Sequence, residues 1–140
     1  MAFREKSAWV SLVCMVVFGA LWTGNLVREG VYGLHVGSPF AVFVAQVTIL
    51  IVMEVVLHIA IAMHSPRDAR TPKDEREQLI DLKASRIAFY VLLAGAFLSL
   101  ATLHVPGANR LTLVHSLMGA IITTMLVRFG AQIALYRRDA

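Results

Sequence analysis

The sequence predicts an all-α membrane protein: four transmembrane helices in two antiparallel hairpins, both termini cytoplasmic, and a third helix that extends into the cytoplasm. Of its 140 residues, 58% are hydrophobic and 16% are charged, whereas soluble domains average about 25% charged residues. The apolar residues form four long runs, and the charged residues lie almost entirely between them. So short a chain cannot bury that much apolar surface in a soluble core.

Each run is close to the roughly 20 residues that a helix needs to cross a bilayer. The predicted spans are residues 8–27, 39–63, 87–105 and 111–136. Their connections are residues 28–38, 64–86 and 106–110, of which only the middle one is long. Residues 1–140 are thus predicted to form a single transmembrane domain. We expect the first run to be retained as a helix, because it is long for a secretory signal and no small-residue cleavage site closes it.

The distribution of Lys and Arg predicts the orientation, because positive residues in short loops stay in the cytoplasm. Ten of the thirteen fall on one side of the four spans: Arg4, Lys6, Arg67, Arg70, Lys73, Arg76, Lys83, Arg86, Arg137 and Arg138. Arg28 and Arg110 fall on the other side, and Arg128 lies within the fourth span. Both termini and the middle loop are therefore predicted to be cytoplasmic.

The middle loop carries the start signals of a helix. Thr71 is a suitable N-cap with Pro72 at the first helical position, and acidic residues follow, where the helix dipole favours them. Nothing breaks this helix before Pro106. The apolar stripe of the extension is expected to pack on its own bundle, with a partner surface as the alternative; it consists of Leu79, Ile80 and Leu82.

Small residues four positions apart permit close contact between helices in a membrane. They occur as Ala20…Gly24, Gly95…Ser99, Ser116…Ala120 and Gly119…Thr123. The spacing predicts close packing, either within one chain or between chains.

The two halves of the chain show signs of duplication. At an offset of 74 residues, Glu54, His58 and the following Ile-Ala align with Arg128, Gln132 and another Ile-Ala. At an offset of 76, Gly19-Ala20 aligns with Gly95-Ala96. Two helices in each half predict a parallel repeat about an axis along the membrane normal.

Glu54 and Arg128 are charged residues inside apolar runs, where charge is costly and normally faces a partner or water. By helical rise from the centre of each span, Glu54 lies about 5 Å and Arg128 about 7 Å on the cytoplasmic side of the midplane. The two are predicted to form a structural ion pair. Alternatively, Arg128 extends to the interface and leaves Glu54 protonated or exposed to water.

Glu54 and His58 lie one helical turn apart and face the same way. They are candidates for an ion or proton path, or for two metal ligands with Gln132 or His64 as a third. On the opposite side, His35, His104 and His115 are candidate ligands of zinc or copper, and His104 with His115 of haem. No C-x-x-C-H motif accompanies them, and we expect no cofactor.

The sequence contains no phosphate-binding loop, nucleophile elbow or H-E-x-x-H motif, so we expect no enzyme. It lacks a basic stripe with interleaved aromatic residues, which argues against nucleic acid as a partner. The expected partners are the lipid bilayer and either further copies of the chain or a larger membrane complex.

Short charged segments lead into the first and third spans: Arg4-Glu5-Lys6-Ser7-Ala8-Trp9, Asp74-Glu75-Arg76 and Lys83-Ala84-Ser85-Arg86. In these segments the chain resembles a group of small four-helix bacterial integral membrane proteins of unknown function. The resemblance implies a multi-pass protein of the bacterial cytoplasmic membrane and carries over no catalytic residue.

The leading functional prediction is a membrane subunit without a catalytic site, which acts as an oligomer or as an accessory scaffold. The first alternative is a small ion or proton channel or transporter that uses Glu54 and His58. The second is a metal or redox site on the outer side, at His35, His104 and His115.

Overall fold

The computed structural model describes residues 3–32, 38–64, 72–108 and 110–138, and all the regular elements within these ranges are helices. They are α1 (Phe3–Tyr32), α2 (Pro39–His64), α3 (Glu75–Ala101), a single 3-10 turn (Thr102–His104) and α4 (Arg110–Arg138). Each α-helix contains a segment long and apolar enough to cross a membrane. The predicted number and order of spans are confirmed.

The chain forms two compact units, Met1–Thr71 and Pro72–Ala140. In the first unit α1 packs on α2, and in the second α3 packs on α4. That the four helices make one domain stays a prediction.

In the first unit, contacts near both ends show that α1 and α2 run in opposite directions. Ser7 near the start of α1 contacts His58 near the end of α2. Trp22, in the second half of α1, packs edge-on against Phe43 near the start of α2, with ring centroids 6.3 Å apart. Cys14 and Phe18 are buried between these two contacts, so the interior of this unit lies along one face of α1.

The third helix begins later than the sequence predicts. Its N-cap is Asp74 and its first residue is Glu75, not Thr71 followed by Pro72. The Asp74 carboxylate accepts a hydrogen bond from the Glu75 backbone amide at 2.8 Å, and the Glu77 carboxylate accepts one from the Asp74 amide at 3.4 Å. Aspartate caps a helix better than threonine does, and this reciprocal capping box fixes the start at Glu75.

In the second unit the closest approach of the helices is at Gly95 of α3 and Ala120 of α4. A Cβ atom built on Gly95 would lie 2.7 Å from the Ala120 Cβ atom, which is too close for two carbon atoms. The predicted close contact of small residues is therefore found here within one pair of helices. By contrast, a Cβ on Gly24 would meet nothing within 4 Å.

The α3 helix ends at Ala101, four residues before the predicted end of the third span, and the chain reverses through a tight turn. The Ala108 backbone amide donates to the Val105 carbonyl at 3.0 Å, with Pro106 and Gly107 between them. Gly107 has a φ of 85°, as the third position of a type II turn requires. This turn brings the chain back towards α4.

Candidate functional site

The intramembrane polar residues of the first unit lie on one stripe of α2. Gln46, Glu54 and His58 are spaced by multiples of four residues, so they share a helix face. Gln46 is 6% exposed, and its amide oxygen has no hydrogen-bond donor among the described residues. Glu54 lies within electrostatic reach of the buried Cys14 of α1. The stripe therefore faces α1.

Both ring nitrogens of His58 are engaged. Nδ1 lies 2.8 Å from the backbone carbonyl oxygen of Glu54, and Nε2 lies 2.9 Å from the Ser7 hydroxyl oxygen of α1. Because a carbonyl oxygen only accepts, Nδ1 carries a proton and donates it. In the neutral ring Nε2 then accepts from the Ser7 hydroxyl, which joins the two helices.

The Glu54 carboxylate takes no part in these contacts. It is half-buried, and within the described ranges it has neither a hydrogen bond nor an ion pair. The structure thus joins His58 to the Glu54 backbone and not to its carboxylate. That the two side chains share a proton or a metal ion stays a prediction.

Gln132 makes the corresponding contact in the second unit. Its side-chain amide nitrogen donates to a carboxylate oxygen of Asp81 at 2.9 Å, linking α4 to α3. The other oxygen of Asp81 pairs with the Lys73 ammonium group. Sequence reasoning missed Ser7 and Asp81, although a buried helix-to-helix amide or imidazole needs a polar partner on the facing helix.

Arg128 is half-buried on α4. Its Nε atom is buried and has no hydrogen-bond acceptor in the part of the chain that the structure describes. The guanidinium carbon lies 5.9 Å from the centroid of the neighbouring Phe129 ring, which is within cation–π range. The ring partly compensates the charge, but no carboxylate of the described residues does.

The two interhelical polar contacts occupy equivalent places in the two units. Ser7 and His58 are 51 residues apart, and so are Asp81 and Gln132. One offset of 74 residues relates both pairs and also relates Glu54 to Arg128. At the contacting ends of the helices, this correspondence favours duplication with the offset found for the second helix of each half, rather than the 76 found for the first.

The remaining cavity of note is an open, largely apolar groove of about 440 Å³ between α3 and α4. Its walls include the small residues whose spacing predicts close packing: Gly95, Ser99, Ser116, Gly119, Ala120 and Thr123. The Ser99 hydroxyl donates to the Gly95 carbonyl at 2.8 Å, so it is not directed at a ligand in the groove.

The predicted outer metal site is only partly described. His35 lies outside the described residues; His104 is exposed in the 3-10 turn, and His115 is half-buried on α4. Among the described residues no three His, Cys, Asp or Glu side chains come together as metal ligands. The three-histidine site stays a prediction.

Comparison with known proteins gives one result. A family model described as "Predicted membrane protein (DUF2178)" matches residues 5–140. No curated protein and no solved structure matches the chain.

Proposed function

Since the chain belongs to this family of predicted membrane proteins of unknown function, we propose that it is a non-catalytic scaffold subunit of the membrane, acting as a homo-oligomer or within a larger complex. One observation carries the proposal: His58 and Gln132, two of its prominent intramembrane polar residues, both engage in helix–helix contacts. Groups engaged in packing in this way contribute to a stable framework and are not free to act on a substrate.

Glu54 and Arg128 complete the framework by pairing with each other. Each is half-buried in an apolar helix, and neither has an opposite charge bonded to it among the described residues of its own unit. An uncompensated charge in hydrocarbon costs several kcal/mol, at least about 2.5–3.5 on insertion scales. Positions related by a repeat axis along the membrane normal lie at the same depth, so opposite charges at equivalent positions are well placed to meet.

The scaffold is placed in the bacterial cytoplasmic membrane, as two antiparallel hairpins with both termini and the start of α3 in the cytoplasm. The ten-to-two distribution of Lys and Arg outside the spans supports this orientation. A cysteine at position 2 or 139, in a Cys14→Ser background, should react with a membrane-impermeant maleimide only after the cells are permeabilised. Labelling in intact cells would reverse the orientation.

Native mass spectrometry of gently extracted protein tests the scaffold itself. The expected result is a defined multimer, or a stable complex with another membrane protein, that persists through dilution. Glu54→Gln and Arg128→Gln should each weaken it, whereas Glu29→Gln, outside the spans, should not. A strict monomer without partners would contradict the proposal.

The half-exposed Glu54 carboxylate favours a second candidate, a cation or proton path. That reading predicts a pH-dependent flux in proteoliposomes that Glu54→Gln abolishes and Glu29→Gln leaves intact. Equal flux in protein-free vesicles would exclude it.

A further inference from the structure

Two cationic side chains stand unpaired on the outer face of α3. Lys83 and Arg86 are exposed, and the described residues give neither of them a hydrogen bond or an ion pair. The opposite face of the helix is buried against α4 through Ile80, Ala84 and Ala88. The two charges therefore point away from their own unit.

Apolar and aromatic side chains flank these charges on the same face. Leu79 and Leu82, one turn before, are 54% and 66% exposed, and Tyr90, one turn after Arg86, is 58% exposed. Positions 79, 82, 83, 86 and 90 fall within one side of the helix at 3.6 residues per turn. We call this set the α3 outer face.

The length of α3 places this face at the membrane boundary. Its 27 residues span about 40 Å, whereas the hydrocarbon is roughly 30 Å thick, so about seven residues extend beyond it. If the Ala101 end lies at one boundary, Lys83 and Arg86 lie at the other, among the lipid phosphates. Tyr90 then sits just inside, where aromatic belts form, and Glu75 lies two turns farther from the hydrocarbon.

We propose that the α3 outer face is a binding site for the headgroup of an anionic phospholipid. The Arg86 guanidinium group binds phosphate oxygens in a bidentate manner, and the Lys83 ammonium group adds a second positive charge beside it. Leu79 and Leu82 are exposed where a lipid surface covers them. The tyrosine hydroxyl bonds to the polar part of the lipid while its ring stays among the chains. A zwitterionic headgroup lacks the net negative charge that this pair complements.

Titration of phosphatidylglycerol onto the full-length protein in detergent, followed by native mass spectrometry, tests the site. Each basic residue near a membrane surface contributes about 1 kcal/mol towards anionic lipid. The double variant Lys83→Gln, Arg86→Gln should therefore bind phosphatidylglycerol about thirtyfold more weakly, with its weaker binding of phosphatidylcholine unchanged. Both side chains are exposed, so the fold is preserved, which circular dichroism checks.

The control removes the same charge elsewhere. Lys6→Gln with Arg138→Gln changes two exposed cations at the ends of α1 and α4 and should leave the affinity for phosphatidylglycerol within about twofold of wild type. Equal weakening in the two double variants would show diffuse attraction to positive charge and overturn the proposal. Wild-type affinity in the Lys83→Gln, Arg86→Gln variant would also overturn it.

Discussion

His58 shows how a polar residue in an apolar helix serves packing. Its two nitrogens bond to the Glu54 carbonyl and to the Ser7 hydroxyl, so its ring is fixed from both sides. A histidine in an apolar run is conspicuous in the sequence and was singled out as a candidate for proton transfer. The serine that engages it lies in a short polar segment near the chain start and carries no signal of its own.

Ser7→Ala tests the contribution of this contact. Hydrogen bonds between membrane helices contribute about 0.6 kcal/mol on average and up to about 1.7, so the free energy of unfolding should fall by about that amount. Ser11→Ala is the matched control, because Ser11 is buried on the same helix without a hydrogen bond recorded for it. Unfolding by SDS titration in mixed micelles measures both, and equal effects would contradict the assignment.

Asp81 gives the same lesson in the second unit. Gln132 was predicted as a neighbour of Glu54 and His58, yet its amide donates to Asp81. The sequence places Asp81 within a charged loop, where an acidic residue is ordinarily solvated. Only the common separation of 51 residues in the two contacts links it to Ser7, and that link needs both contacts to be known.

At the scale of elements, hydropathy identified all four helices but not their ends. Hydropathy reports only the part of a helix within the hydrocarbon, whereas α1 and α4 continue into charged segments at the boundary. The start of α3 was predicted within four residues, because Thr71, Pro72 and Asp74 all resemble helix starts. The capping box with Glu77 decides between them.

Asp74→Ala should loosen the first turn of α3. Loss of an N-cap acceptor costs about 1 kcal/mol, and asparagine caps as well as aspartate does. Hydrogen exchange of the first-turn amides should therefore quicken in Asp74→Ala and stay near wild type in Asp74→Asn. Equal protection in wild type and Asp74→Ala would show that the cap is not what holds this turn.

The contact between α3 and α4 is tested by adding one methyl group. Gly95→Ala places a carbon 2.7 Å from the Ala120 Cβ atom and should lower the free energy of unfolding by about 1–3 kcal/mol, the usual cost of overpacking. At Gly119 a Cβ meets nothing within 4 Å, so Gly119→Ala should be neutral or slightly stabilising. Thermal unfolding in detergent compares the two, and the reverse order would refute the close contact.

For the whole molecule, composition and charge asymmetry were enough to predict a four-span membrane protein. They could not predict which side chains meet across helices, because apolar helices offer many equivalent faces. Glu54 and Arg128 were conspicuous because charge is rare at that depth. Their equivalence under one 74-residue offset became convincing only when the Ser7–His58 and Asp81–Gln132 contacts followed the same offset.

The central claim, that Glu54 and Arg128 pair, is tested most directly by a double-mutant cycle. Removing one partner of a buried ion pair costs about 3–5 kcal/mol, because the other charge is left uncompensated, whereas removing both costs much less. Glu54→Gln and Arg128→Gln should each lower the free energy of unfolding in mixed micelles, and the double variant should be at least as stable as either one. If instead the two losses add to within about 0.5 kcal/mol, the residues act independently and the pairing is contradicted.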